Sequence, residues 1–336
     1  MVAASTPEGK STRVRRIGIL TSGGDAPGMN AAIRSVVRTA TPLGIDVVGY
    51  IDGYVGLVSG SHRELDDRAV GNILQRGGTV IGTSRCPEFY DAEVRALAAD
   101  RMRSDEIEAL VVIGGDGSFR GASEFTREHR IAVAGIPGTI DNDVWGTEET
   151  LGFDSAVNTA MLAIDNLRDT SESTGTNFFV EVMGRTSGAI ALYTGLAAGA
   201  TGVLIPEVEN DLEGLASRLQ RALQRGKRSH IIVVAEGDEA GGAFGVANRV
   251  AALVDIPFRV TVLGHVQRGG SPSARDRIIG VESGALAVRC LAEGGGGVMV
   301  GMRNRQAVLV PLEEVVAHAH PEPELNKLRL AIEVAG

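Results

Sequence analysis

Short apolar runs alternate with longer amphipathic stretches along the chain. The apolar runs are rich in Val, Ile and Ala, and most end in a glycine-bearing turn: RIGILTSGGD (16–25), DVVGYIDG (46–53), ALVVIGGDGS (109–118), IAVAGIPGTIDND (131–143), NFFVEVMGR (177–185), GVLIPE (202–207), HIIVVAEG (230–237) and RVTVLGHVQRGG (259–270). Helical periodicity fills segments such as 29–40, 154–168 and 212–226. Strands that are apolar throughout belong to parallel sheets covered on both faces. The pattern predicts a doubly wound α/β fold of two Rossmann-like units with mainly parallel sheets. Ligands then belong beyond the carboxyl ends of the strands, where turns and helix N-termini gather. A length of 336 residues suits two domains, with a boundary near 145–153 and a late return of the chain to the first. Residues 1–13 are expected to form a mobile tail, and GGGG at 294–297 a surface turn.

Composition removes several function classes. A net charge of −9 opposes a nucleic-acid-binding face, which needs many cations to neutralise phosphates. Cys86 and Cys290 are the sole cysteines, so there is neither a disulfide framework nor a CxxC zinc pair, which fits a reducing cytoplasm. No run approaches the roughly 18 apolar residues of a membrane span. Lys10, Lys227 and Lys327 are the only lysines among 33 basic residues. Most of that arginine bias reads as codon usage, so position must decide which arginines bind anions.

Candidate chemistry sits in the turns. In TSGGDAPGMN (21–30), Gly23 and Gly24 allow close approach by phosphate oxygens ahead of a helix N-terminus. In GGDGS, Asp116 is flanked by residues that cannot shield it and can hold Mg²⁺ while phosphates lie on Gly115 and Gly117. The Gly115, Gly117, Gly121 spacing misses the dinucleotide fingerprint by one residue. PGTIDND adds Asp141 and Asp143, one able to accept a hydroxyl proton and the other to orient it or bind metal, beside Thr139. Arg85, Arg185 and the pair His265 and Arg268 lie at strand ends as candidate phosphate clamps. The absence of a GxSxG elbow opposes serine-triad chemistry. Together these residues point to phosphoryl transfer.

TSGGDAPGMNAAIR, GYVGL, RGGTVIGTSRCPEF, VVIGGDGS, PGTIDND, VEVMGR and LGHVQRGGSP, in this order, resemble the bacterial 6-phosphofructokinase family from about residue 16 to about 315. The resemblance implies transfer of the γ-phosphoryl group of ATP to the 1-hydroxyl of fructose 6-phosphate, with Mg²⁺, in a cytoplasmic homotetramer. It assigns residues 14–150 and about 265–315 to nucleotide binding, and 151–264 and about 316–336 to the sugar phosphate. Asp141 would be the general base, helped by Thr139 and Asp143, with Arg85 and Arg185 also catalytic. Asp116 would hold the metal, and Gly24, Arg85, Cys86, Gly115, Gly117 and Ser118 would line the nucleotide. Ile140, Met183, Gly184, Arg185, Glu236, His265, Val266, Gln267 and Arg268 would meet fructose 6-phosphate, and Arg259 would reach a neighbouring subunit. A phosphorylated effector would meet Arg34, Arg38, Arg168, Arg225 and Lys227.

The resemblance also exposes departures. Pyrophosphate-using relatives carry an aspartate where this chain has Gly117 and a lysine where it has Gly138, so ATP is the expected donor and pyrophosphate the alternative. Thr176 stands where relatives place an arginine, a loss of about 1.5–3 kcal/mol of binding if nothing replaces it. Ile51, Cys86 and Arg120 are unusual around the expected adenine position, while Ser61 and Thr201 alter the effector site and predict a weakened response to ADP. An NAD kinase type would also use a GGDG turn but has no place for PGTIDND or VEVMGR. A catalytically silent sugar-phosphate-binding protein is opposed by the full set Asp116, Asp141, Asp143 and Arg85.

Overall fold

The structure, a computed structural model, describes residues 14–335 apart from 228, 240 and 319. The expected tail at 1–13 lies outside the described residues. All eight apolar runs form strands. The first sheet has eight: β1 (Arg16–Ser22), β2 (Asp46–Tyr50), β3 (His62–Glu64), β4 (Thr83–Ser84), β5 (Ala109–Gly114), β6 (Ala132–Pro137), β11 (Val298–Arg303) and β12 (Gln306–Pro311), in the order β12-β11-β6-β5-β1-β2-β3 with β4 beside β1. Its centre is parallel, and antiparallel pairs, β11 with β12 and β2 with β3, close its two edges. The second sheet, all parallel, is built from β7 (Asn177–Val182), β8 (Gly202–Leu204), β9 (Ile231–Ala235) and β10 (Phe258–Val262) in the order β10-β7-β9-β8.

Every residue of β5 and β9 is buried, because successive side chains leave opposite faces of the sheet and both faces are covered. From β5, Ala109, Val111 and Ile113 join one core, while Leu110 and Val112 join another. The first core receives α1 (Met29–Ala40) and α9 (Ala274–Ala292); the second receives α3 (Ala92–Ser104) and Phe119 and Phe125 of α4 (Asp116–His129). In the second sheet Ile232 and Val234 pack on α7 (Leu212–Gln224) and α8 (Gly242–Ala251). GGDGS is more than a turn, since Asp116 opens α4. GGGG at 294–297 is a turn between α9 and β11.

The chain leaves the first sheet through α5 (Phe153–Thr174) and returns through α9. Asp276, fully buried in the first turn of α9, ties these two helices together. Its carboxylate accepts hydrogen bonds from Gly152 N (2.7 Å), Ser155 N (2.8 Å) and Ser155 Oγ (2.6 Å), so it satisfies donors that the α5 N-terminus otherwise leaves orphaned. On its other side α9 lies close to α1, where a Cβ on Gly284 would fall 2.7 Å from that of Ser35. Asp276→Ala strands these buried donors at about 1–3 kcal/mol each. Urea unfolding is expected to show a loss of at least about 3 kcal/mol, and a loss below about 1 kcal/mol would show the clamp to be dispensable.

Candidate active site

The carboxyl ends of β1, β5, β6 and β7 open on a cavity of about 380 Å³. Gly24, Arg85, Cys86, Gly115, Asp116, Gly117, Ser118, Thr139, Asp141, Asp143, Arg185 and Arg268 all line it. The size suits a small ligand.

The turn after β6 carries the two buried carboxylates. Asp141 N donates to Thr139 Oγ1 (3.2 Å), and Asn142 takes a left-handed φ of 50°. Thr150 braces this turn, donating from N to Asn142 Oδ1 (2.8 Å) and from Oγ1 to Thr139 O (2.7 Å). Asp141 is 2% exposed and its Oδ1 has no hydrogen-bond partner. Arg185 Nε stands 3.6 Å from the other oxygen. Burial first, and then the neighbouring charge of Asp143, push the Asp141 carboxyl up to about 6, against the opposing pull of Arg185 and Arg268. Burial also raises Asp143. Asp141 is thus ionised at neutral pH yet basic for a carboxylate, the state a proton acceptor needs.

The arginines come from other elements. Arg185 follows β7 with a left-handed φ of 53°, a strained backbone for a long side chain. Glu236, just past β9, holds it there by accepting from Arg185 N (2.9 Å) and Gly184 N (3.3 Å). Arg268 donates to Asp25 O (2.9 Å), and its guanidinium fills the space where a Cβ on Gly24 would stand. Arg85 rides on a loop fastened to the first turn by Gly23 N donating to Ser84 O (3.1 Å). Neither Arg85 nor Arg268 has an ion-pair partner among the described residues, so each brings an unneutralised charge to an anionic ligand, Arg268 while one of its donors is held by Asp25 O.

Asp116 fits a Mg²⁺ site of the kind in which one protein carboxylate holds the ion and substrate phosphates complete its shell. It lines the cavity near Asp143, and Arg120 Nε balances it at 2.9 Å. Among the described residues no group of three or more His, Cys, Asp and Glu forms a self-sufficient cage.

Other expected residues lie elsewhere. Ile140 and Met183 are buried beneath the cavity, and Gln267 is buried with an unpartnered Oε1. Arg259, on the open edge of β10, and His265 and Val266 are exposed away from the cavity lining. Of the residues unusual around the expected adenine position, Ile51 packs against the core, Arg120 pairs with Asp116 and Cys86 lines the cavity. One wall of the cavity is aromatic: buried Tyr54 stacks on buried Phe89 at 3.9 Å and Tyr90 stands exposed beside them. Sequence reasoning missed these three and His320, because aromatics in loops carry no motif; GYVGL and CPEF, which hold Tyr54 and Phe89, were the available signals. Of the candidate effector residues, Arg38 pairs with Asp67 (3.3 Å). Lys227 and Arg168 influence each other, and Lys227 donates to Ala335 O (3.2 Å). Thr201 is buried against His230 and Thr176 is bonded to Thr174.

Residues 16–291 match the Phosphofructokinase family. The chain belongs to that family. It is 52% identical over 303 residues to the ATP-dependent 6-phosphofructokinase 1 of Thermus thermophilus, spanning 90% of this chain and 94% of the relative. It is 48% identical over 322 residues to the ATP-dependent 6-phosphofructokinase of Halalkalibacterium halodurans, spanning 96% and 100%. Its fold is similar to that of phosphofructokinase from Saccharomyces cerevisiae, with a TM-score of 0.85 and 35% identity over 96% of this chain and 47% of that longer one; the chain spans about half of it. A pyrophosphate-dependent phosphofructokinase from Marinobacter aquaeolei shares the fold, with a TM-score of 0.83 at 23% identity over 95% of this chain and 92% of that one. No helix among the described residues is long and apolar enough to cross a membrane.

In this phosphofructokinase family member the balance of charges on Asp141 can be read directly. Carboxyl titration by infrared difference spectroscopy against Asp141→Asn is expected to place this group near 6. Asp143→Asn, which removes a raising charge, moves it down; Arg185→Ala, which removes a lowering one, moves it up. Equal values in all three proteins would contradict the electrostatic account.

Proposed function

We propose that the chain is an ATP-dependent 6-phosphofructokinase, transferring the γ-phosphoryl group of ATP to the 1-hydroxyl of fructose 6-phosphate in glycolysis. The observation that carries the reading is the buried, partnerless Oδ1 of Asp141 in a cavity lined by phosphate-sized glycine turns and arginines. The family membership and the relatives' names support the same reaction.

Asp141 accepts the proton of the attacking hydroxyl, while Asp143 keeps it basic and Thr139 shapes the turn. Arg85 and Arg185 neutralise charge on the group in flight, and Arg268 with Glu236-braced Gly184 and Arg185 holds the sugar phosphate. Backbone N–H groups of Gly115 and Gly117 at the start of α4 receive the nucleotide phosphates, with Ser118 beside them in the cavity wall. Asp116 would hold Mg²⁺, which would supply positive charge to neutralise those phosphates. Tyr90, exposed at the cavity beside the buried Tyr54–Phe89 stack, offers an aromatic surface for the base.

Gly117 and Gly138 both line the cavity and support ATP over pyrophosphate, because neither places a side chain where the α-phosphate would lie. The division of labour follows the sheets: residues 14–150 and about 265–315 serve the nucleotide, and 151–264 and 316–336 the sugar phosphate. The exposed apolar Leu162, Val262 and Val266 beside exposed Arg259 and His265 support a second copy covering this face, within a homotetramer that brings Arg259 to a neighbour's sugar phosphate. Arg168 and Lys227, near enough that the charge of Arg168 lowers the Lys227 ammonium, would take a phosphorylated effector; buried Thr201 offers no carboxylate to an effector's metal, so activation by ADP is expected to be weak. Two free thiols, Cys86 and Cys290, suit the cytoplasm.

Initial rates with fructose 6-phosphate and Mg²⁺ test the reading, with ATP and pyrophosphate offered separately. Turnover with ATP alone is expected, and turnover with pyrophosphate alone would overturn the donor assignment. Asp141→Asn is expected to lower kcat about 10³-fold, within the range of a lost general base, with the sugar KM within about threefold. Near-normal turnover would remove Asp141 from the mechanism. The wild-type kcat/KM should fall about tenfold per pH unit below about 6, as Asp141 takes up its proton, and Asp143→Asn should move that limb to lower pH.

A further inference from the structure

Beyond β12 the chain forms α10 (Leu312–Ala317), packed on α4, and then α11 (Leu325–Glu333), packed on α6 (Ala189–Ala197) and β8. The stretch between them, 318–324, therefore passes from the first sheet's side to the second's, across the turn that carries Asp141 and Asp143. It is fastened at both ends. His318 stacks on Trp145 with ring centroids 4.0 Å apart and planes 7° from parallel. At the far end Glu324 accepts from Tyr193 Oη and pairs with Lys327, whose Nζ also donates to Tyr193 Oη at 2.9 Å.

Between these anchors His320 lies with Nδ1 2.6 Å from the backbone carbonyl oxygen of Asp143, and its side chain lines the cavity. A carbonyl can only accept, so Nδ1 carries the proton in this contact. The Asp143 side chain is close as well, its Oδ2 3.9 Å from the same nitrogen. The catalytic turn thus has two supports. Thr150 grips its Thr139 and Asn142 end, and His320 grips its Asp143 end from a segment more than 170 positions later in the chain. Asn142, gripped by Thr150 on one side and joined to His320-held Asp143 on the other, sits in the left-handed region, so the peptide that links the two supports lies directly beside Asp141.

We propose that His320, held by the 318–324 strap, is a positioning residue that fixes the Asp143 end of the turn and so the aim of Asp141. The role rests on the phosphoryl transfer proposed above. Misplacing a reacting group by about 1 Å can cost on the order of 100-fold in rate, and one lost hydrogen bond in a turn still braced by Thr150 should cost less.

The test compares His320→Ala and His320→Asn in steady-state turnover with ATP and fructose 6-phosphate, with melting temperature as the check on folding. His320→Ala is expected to lower kcat about tenfold with both KM values within twofold and the melting temperature unchanged. His320→Asn places an amide N–H where Nδ1 stood and should restore kcat to within about threefold. Tyr193→Phe, which loosens the strap's far anchor without touching the turn, should give a smaller loss, also confined to kcat. Wild-type kcat in His320→Ala overturns the proposal, as does equal impairment of Ala and Asn. A rise in KM at unchanged kcat would make His320 a binding group and overturn it too. The wild-type control separates the two readings: an inactive wild type refutes the reaction, whereas an active wild type with a silent His320→Ala refutes only the positioning role.

Discussion

The buried carboxylate of Asp276 holds together the two helices by which the chain leaves and re-enters its first sheet. Its three acceptor contacts to Gly152 and Ser155 satisfy the N-terminal donors of α5 in a place water cannot reach. Burying this charge is costly, and it is tolerated because the donors it meets would be equally costly unpaired. The clamp also sets the site. Thr150, two residues before Gly152, is the residue that braces the turn carrying Asp141. The packing of α9 on α1, the start of α5 and the turn that carries Asp141 are therefore consecutive links of one path, and a group held on such a path is aimed by the core and not by loop fluctuation.

The cleft opposes that economy. Asp116, Asp141 and Asp143 share one cavity, and the carboxyls of the latter two are shifted up by burial. Arg185 adopts a left-handed backbone to reach Asp141, and Glu236 holds it there through two backbone N–H groups. Strain and like-charge crowding of this kind lower stability, and they persist where a rigid surround over-determines them. Here the same features yield a carboxylate that is ionised at neutral pH and flanked by cations. The arginines facing this cluster matter locally even though the chain is net negative, because a desolvated cavity screens charge far less than bulk water.

Much of this was legible before the structure. Asp116, Asp141, Arg85, Arg185 and Arg268 sit at the ends of apolar runs, and the parallel sheet forces such ends to one edge, so their convergence follows from the strand pattern. Arg259, within β10, and His265, just past it, are exposed at the edge strand of the second sheet. The inward turn of Ile51 and the pairing of Arg120 with Asp116, one helical turn away, could not be read from the sequence pattern. Periodicity identifies the face of an element, but partner choice among nearby groups is settled by packing.

The sequence by itself determined the fold class, the strands, and the chemical kinds of group gathered at their ends, since side-chain period and glycine placement are local properties that survive without neighbours. Tertiary structure alone decided which of those groups meet, how far burial shifts Asp141, that Tyr54 and Phe89 form a stacked wall, and that His320 returns from the far end of the chain to hold Asp143. Those outcomes depend on distances between residues remote in sequence, and only the folded core, by excluding water and fixing geometry, assigns them.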